Sequence, residues 1–135
     1  MSVEATTRCP CGTGLTFGEC CGPIHAGERD APTAESLMRS RFTAFATGDE
    51  TYLLHSWHPS SRPAHIGVEP SIRWLRLDIV ETVAGGPFDR DGIVEFVAHY
   101  RSGDGPGRLR ERSRFVRDRA WLYVDGEVAE HGVQP

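Results

Sequence analysis

The sequence predicts an α+β protein, with helices packed on a curved antiparallel sheet behind a small cysteine knuckle. Three observations carry this. All four cysteines lie between positions 9 and 21. Apolar residues then recur at helical spacing from Ala34 to Phe45. From Trp74 the period drops to two, and Gly-rich breaks cut the rest into strands. Helices first and a strand meander after place the helices on one face of the sheet.

The knuckle reads Cys9-Pro10-Cys11, eight residues, then Cys20-Cys21. Thiolates are soft ligands, and four of them close a tetrahedral zinc site with no open position for substrate. Such a site staples a fold and does no chemistry. Glycines at 12, 14 and 18 let the chain turn back so that the two pairs meet. A disulfide framework is the alternative, pairing Cys9 with Cys20 and Cys11 with Cys21, or the crossed pairs. Cys20 and Cys21 are poorly placed to bridge each other, since about 3.8 Å at Cα lies below the usual disulfide span of roughly 4.4–6.8 Å. No signal-peptide pattern precedes the knuckle, which favours thiols, metal and the cytoplasm. The same sulfurs would also accept iron.

At 135 residues the chain has room for one domain plus the knuckle, divided at 1–30 and 31–135. A net charge of −4 exerts no general pull on nucleic acid or anionic lipid, and no apolar run reaches membrane-spanning length. All 15 basic residues are arginine, which reads as codon bias.

Residues 1–8 read as a frayed start, and Gly22–Pro32 as a turn-rich connector. Thr33 is an N-cap, Glu35 suits the first turn, and Gly48 ends the first helix near Thr47. Ala34, Leu37, Met38, Phe42 and Phe45 form its apolar face. Arg41 falls within that face, Arg39 outside it. An inward guanidinium cannot shed its proton and calls for a carboxylate or a bound anion. Asp49 caps a second helix from Glu50 to about Ser56, and His58 is placed to contact its last carbonyls. His55 and His58 have a spacing seen on metal-binding helices, without a matching carboxylate.

Leu75, Leu77 and Ile79 read as the inward face of a first strand. Strands two, three and four are placed at Ile93–Arg101, Arg108–Arg117 and Trp121–Asp125, with Ser102–Gly107 a loop. On strand three, Leu109, Glu111, Ser113 and Phe115 share the inner face; Arg110, Arg112 and Arg114 share the outer one. Arg41 and Glu111 are expected to meet across the helix–sheet gap, as an architectural pair or as the wall of a pocket. Ser113, Trp57, His58, Tyr100 and Trp121 are the further candidates for that wall. Glu95 and His99 share a side of strand two and read as solvated or sheet-edge groups. The arginine row is a candidate phosphate contact, but acids at Asp125, Glu127 and Glu130 are placed to offset it.

The pattern Cys9-Pro-Cys-Gly-x-Gly, then Cys20-Cys21-Gly22, resembles the SEC-C zinc motif of the translocation ATPase SecA. The chain as a whole resembles the YchJ family. Leu37-Met-Arg-Ser-Arg-Phe42, Trp57-His-Pro59, Glu111-Arg-Ser-Arg-Phe115 and Tyr123-Val-Asp-Gly126 are among the matching segments. The resemblance implies a cystatin-like domain similar to nuclear transport factor two, and a Zn2+ ion in the knuckle. It also implies a binding or adaptor role, with the knuckle contacting a protein partner. A small-ligand binder or enzyme using the domain pocket, and a nucleic-acid contact, are the competing readings. No second SEC-C motif occurs in the last residues, Gly132–Pro135.

Overall fold

The computed structural model describes residues 4–133. Three α-helices, α1 (Cys21–His25), α2 (Ala34–Thr47) and α3 (Glu50–His55), precede four strands. These are β1 (Arg73–Ala84), β2 (Asp91–Ser102), β3 (Gly105–Asp118) and β4 (Ala120–Val133), paired antiparallel in the order β1-β2-β3-β4.

The caps form as their residue types dictate. The Thr33 hydroxyl accepts the Ser36 amide at 3.0 Å. Gly48 closes α2 at φ 76°, a left-handed position that only glycine takes cheaply. The Asp49 carboxylate accepts the Tyr52 amide at 3.0 Å and starts α3.

Helix α2 is buried on more than its apolar face. Leu37, Met38 and Phe42 meet the sheet, while Ser40 and Thr43 are also sealed. The reason is a second layer, because the knuckle packs against the flank of α2. His25 Nε2 bonds the Ser40 carbonyl at 2.7 Å, and Arg39 Nη1 donates to the Cys11 carbonyl at 2.6 Å. The expected connector therefore contains α1, and residues 4–8 are tied down. Phe17 and Gly18 donate to the carbonyls of Thr7 and Ala5.

The strands differ from expectation where bulges intervene. A register shift between Trp74 and Arg76 turns Leu75 outward, leaving it 51% exposed while Trp74 packs on the core. The expected 102–107 loop shrinks to a two-residue turn at Gly103-Asp104. β4 runs eight residues past Asp125 because β3 supplies a pairing partner as far as Val133. The end of α3 is joined to β4 by two bonds, from the His58 amide to the Tyr123 carbonyl (2.7 Å) and from the Tyr123 amide to the Ser56 carbonyl (2.9 Å).

Candidate metal centre and internal cavity

Cys9 and Cys11 sit on a glycine turn, with Gly12 at φ 87° and Gly14 at φ 92°. Cys20 and Cys21 sit where a short 3-10 turn, Phe17–Glu19, meets α1. All four side chains are buried and free of disulfides. Their sulfurs lie within 4.8 Å of one another. Cys11 and Cys20 are 3.6 Å apart at sulfur, Cys20 and Cys21 3.9 Å. A disulfide needs about 2.05 Å. A tetrahedron with metal–sulfur bonds of about 2.3 Å has edges 1.63 times longer, about 3.8 Å. These two separations bracket that value and all four sulfurs lie close together, so the four cysteines could hold a metal ion. Hydrogen bonds from Cys11 and Cys21 lower the Cys9 thiol, while contacts within the cluster and burial raise Cys11 and Cys21, so without an ion the cluster favours one shared negative charge, not four thiolates. The Thr13 hydroxyl lies 3.2 Å from Cys20 sulfur, and the Thr43 hydroxyl 3.7 Å from Cys9 sulfur. No other group of three or more metal-ligating side chains occurs among the described residues.

The second feature is a cavity of about 260 Å³ between α2 and the sheet. α2 contributes Met38, Arg41, Phe42 and Phe45; Trp57 and Trp74 stand at its sides. β2 contributes Phe96 and Ala98, β3 Leu109, Glu111 and Ser113, and β4 Tyr123. Arg41 is 3% exposed. Its Nη1 donates to the Leu53 carbonyl at 2.8 Å and the Ser56 hydroxyl at 2.7 Å. Its guanidinium carbon stands 4.5 Å from the Tyr123 ring centre and 5.1 Å from that of Trp57. Burial lowers Arg41 to about 10, which still leaves it charged at neutral pH. Glu111 accepts from the Ser113 hydroxyl at 2.6 Å and from the Tyr123 hydroxyl at 3.2 Å, both at Oε2. The expected direct Arg41–Glu111 contact is replaced by Tyr123, which touches both. Burial first, then the nearby Glu111 carboxylate, raises the Tyr123 hydroxyl and keeps it a donor.

Residues 33–126 match the family described as YchJ, middle NTF2-like domain, and residues 6–23 match the SEC-C motif. The chain belongs to the YchJ family. A UPF0225 protein of Corynebacterium glutamicum is 55% identical over 122 residues, covering 90% of this chain and 97% of that one. One from Streptomyces coelicolor is 50% identical over 126 residues, covering 93% and 98%. The solution structure of a SEC-C motif containing protein from Rhodopseudomonas palustris superposes with a TM-score of 0.79 at 32% identity, covering 90% of this chain and 98% of that one. The crystal structure of a SEC-C motif containing protein from Psychrobacter arcticus gives 0.76 at 26%, covering 96% and 87%.

In this YchJ-family chain the remaining expected site residues divide. Arg41, Trp57, Glu111 and Ser113 line the cavity; His58, Tyr100 and Trp121 do not. His58 turns to the Ser60 hydroxyl at 2.7 Å, and the α3 carbonyl it was expected to contact is taken by Arg41. Tyr100 packs on Trp74 with ring centres 5.2 Å apart. Trp121 is buried nearer the start of α2, donating to the Pro32 carbonyl at 3.3 Å. Sequence reasoning missed Tyr123, although Trp121 and Tyr123 alternate onto one face. At about 3.3 Å per residue they stand about 7 Å apart along β4, so only Tyr123 reaches Arg41.

The arginine row lies on the outer face and is paired. Arg110 meets Glu95 at 2.6 Å; Arg112 meets Glu81 at 2.6 Å and Glu95 at 3.0 Å; Arg114 meets Asp125 at 2.6 Å. The hydrogen bonds from Arg110 and Arg112 hold the Glu95 carboxyl below its usual range. The Glu130 side chain lies outside the described part. His99 pairs across strands with Asp78 at 2.9 Å, not with Glu95. Among the described residues no helix is long and apolar enough to cross a membrane.

Proposed function

We propose that this protein is a small-molecule receptor whose amino-terminal end is held by a structural zinc ion. The observation that carries the receptor reading is the cavity: about 260 Å³, walled by aromatic and aliphatic side chains, with Arg41, Glu111, Ser113 and Tyr123 as its polar groups. Concave, apolar sites with a few convergent polar groups are where small ligands bind. Cys9, Cys11, Cys20 and Cys21 would hold the zinc. With four sulfurs bound, the ion supplies cross-linking and no catalysis. Reduced thiols suit the cytoplasm.

The receptor reading is tested by a fragment set followed at the indole N–H signals. Trp57 and Trp74 line the cavity, and Trp121 serves as an internal control. Hits that move the first two alone support it. A set in which no fragment moves Trp57 or Trp74 removes it. Zinc is tested by elemental analysis of protein purified without added metal; one zinc per chain is expected, and iron or no metal refutes the assignment.

A second reading, a protein adaptor, is favoured by one observation. The knuckle loop Gly12–Leu15 faces outward, with Leu15 48% exposed. Affinity capture with Leu15→Asp beside the parent tests it; identical captured partners would remove the loop from consideration. A nucleic-acid contact draws less support, since each arginine of the row already faces a carboxylate.

A further inference from the structure

The polar groups of the cavity narrow the ligand class, and this step rests on the receptor reading above. Arg41 uses Nη1 for both of its hydrogen bonds, to a carbonyl and a hydroxyl rather than to a carboxylate. Nε and Nη2 make neither bond. Among the described residues no buried side-chain nitrogen or oxygen lacks a partner. Nε and Nη2 therefore border open space, and the cavity is the space Arg41 lines. Glu111 behaves in the same way with opposite polarity. Ser113 and Tyr123 both donate to Oε2, and Oε1 receives neither bond. One wall thus offers donors and another an acceptor, in a chamber whose other walls are mainly apolar.

The charges decide what fits between them. An anionic ligand would suit Arg41 but face the like charge of Glu111; a cationic one would suit Glu111 and face Arg41. Either leaves one net charge in a space of low dielectric, which is unfavourable. A neutral head group carrying a carbonyl oxygen beside an N–H satisfies both walls and adds no charge. The volume lies just below the roughly 300–1,000 Å³ of drug-sized sites, which sets the body at one ring or a short alkyl chain. We propose that the cavity takes a small neutral carboxamide with an apolar body, its carbonyl oxygen accepting from Arg41 and its N–H donating to Glu111.

Three probes of one skeleton test this: 3-phenylpropionamide, 3-phenylpropionate and 3-phenylpropylamine. Each is titrated into the metal-loaded full chain, with the Trp57, Trp74 and Trp121 indole signals as readout. The amide is expected to bind tighter than the acid and the amine by roughly tenfold, the value of one charge-assisted hydrogen bond gained or lost. Glu111→Gln keeps the shape and removes the negative charge, so it should reverse the order of acid and amide. An acid or amine that binds the parent as tightly as the amide overturns the carboxamide assignment and leaves the receptor reading standing. No shift at Trp57 or Trp74 with any of the three overturns the assignment, while the fragment set alone decides the receptor reading. Equal shifts at Trp121 report binding elsewhere and overturn the assignment too.

Discussion

Gly126→Ala should destabilise the parent and stabilise a Glu111→Ala variant. Gly126 lies opposite Ser113 across β3 and β4. A Cβ built there would fall on Glu111 Oε2, 2.7 Å from Cδ and 2.9 Å from Cγ. The Glu111 side chain would have to swing away. The Ser113 hydroxyl, with 0% exposure, would lose its acceptor. A buried hydroxyl left without a partner costs about 1–3 kcal/mol. Alanine in a strand gains about 0.5–1 kcal/mol over glycine. The net loss in the parent is therefore up to about 2.5 kcal/mol, with about 1 kcal/mol at the centre of the range. With Glu111→Ala already in place the three atoms nearest the new methyl group are gone, and the gain of about 0.5–1 kcal/mol is expected to remain. Urea unfolding of the four proteins, followed by circular dichroism, completes the cycle. The same sign in both backgrounds would refute the cradle that Gly126 provides for Glu111.

Three further outcomes are expected. Cys11→Ser should release the metal and loosen the 4–25 segment from α2, seen as amide exchange at Cys9, Phe17 and Gly18, whose backbone bonds close the knuckle; retained protection would mean that packing alone holds it. Burial raises Tyr52 from 10.0 to about 12. Its stabilising contribution is complete below pH 10 and is lost toward pH 12, about 3 kcal/mol at about 1.4 kcal/mol per unit, with Tyr123 acting in the same direction. Arg41, lowered by burial, acts oppositely above pH 10 and offsets part of this. Tyrosinate absorbance should therefore show Tyr52 ionising late, and ionisation near 10 while the chain is still folded would contradict its burial against the Ser40 hydroxyl at 2.6 Å. Alanine at Arg110, Arg112 and Arg114 together should leave binding to bulk RNA unchanged, because these arginines already face carboxylates; a large salt-dependent loss would show that they exchange those partners for phosphates.

What could be read in the sequence was what local chemistry decides. Thr33, Asp49 and Gly48 mark their helix ends through their own side chains or backbone freedom, so both helices of the hairpin were legible. The burial of Arg41 was legible because it falls within an apolar stripe; its partners were not, since a carbonyl, a hydroxyl and two aromatic rings stand where a carboxylate was expected. The four cysteines were legible by spacing and chemistry. What non-local pairing decides was not. The bulge at Trp74 reverses the faces of β1 at its start, and no residue there announces it. β4 extends beyond Asp125 through a mixed polar and apolar stretch broken by Gly126 and Gly132, because β3 runs alongside. Ser40 and Thr43 are polar, and they are buried by partners distant in sequence, Thr43 beside Cys9 of the docked knuckle and Ser40 between His25 and Tyr52 of α3.

The same docking couples the two features of the molecule. Arg39 and Arg41 project from one helix to opposite sides. Arg39 bonds Glu35 and the Cys11 carbonyl, and Arg41 bonds the end of α3 and lines the cavity. Ser40 between them takes His25 on its carbonyl and Tyr52 on its hydroxyl. One helical turn thus carries the knuckle, the helical hairpin and the cavity wall. Packed interfaces of this kind change in discrete steps, not gradually. If the cysteines hold the proposed metal, its loss would remove the Cys9 and Cys11 anchor from one side of that turn. Its effect on the cavity then travels through α2 itself, two residues from the Arg39 contact to Arg41. A metal-free chain should accordingly show altered Trp57 and Trp74 signals although neither indole touches the knuckle, and unaltered signals would separate the staple from the receptor.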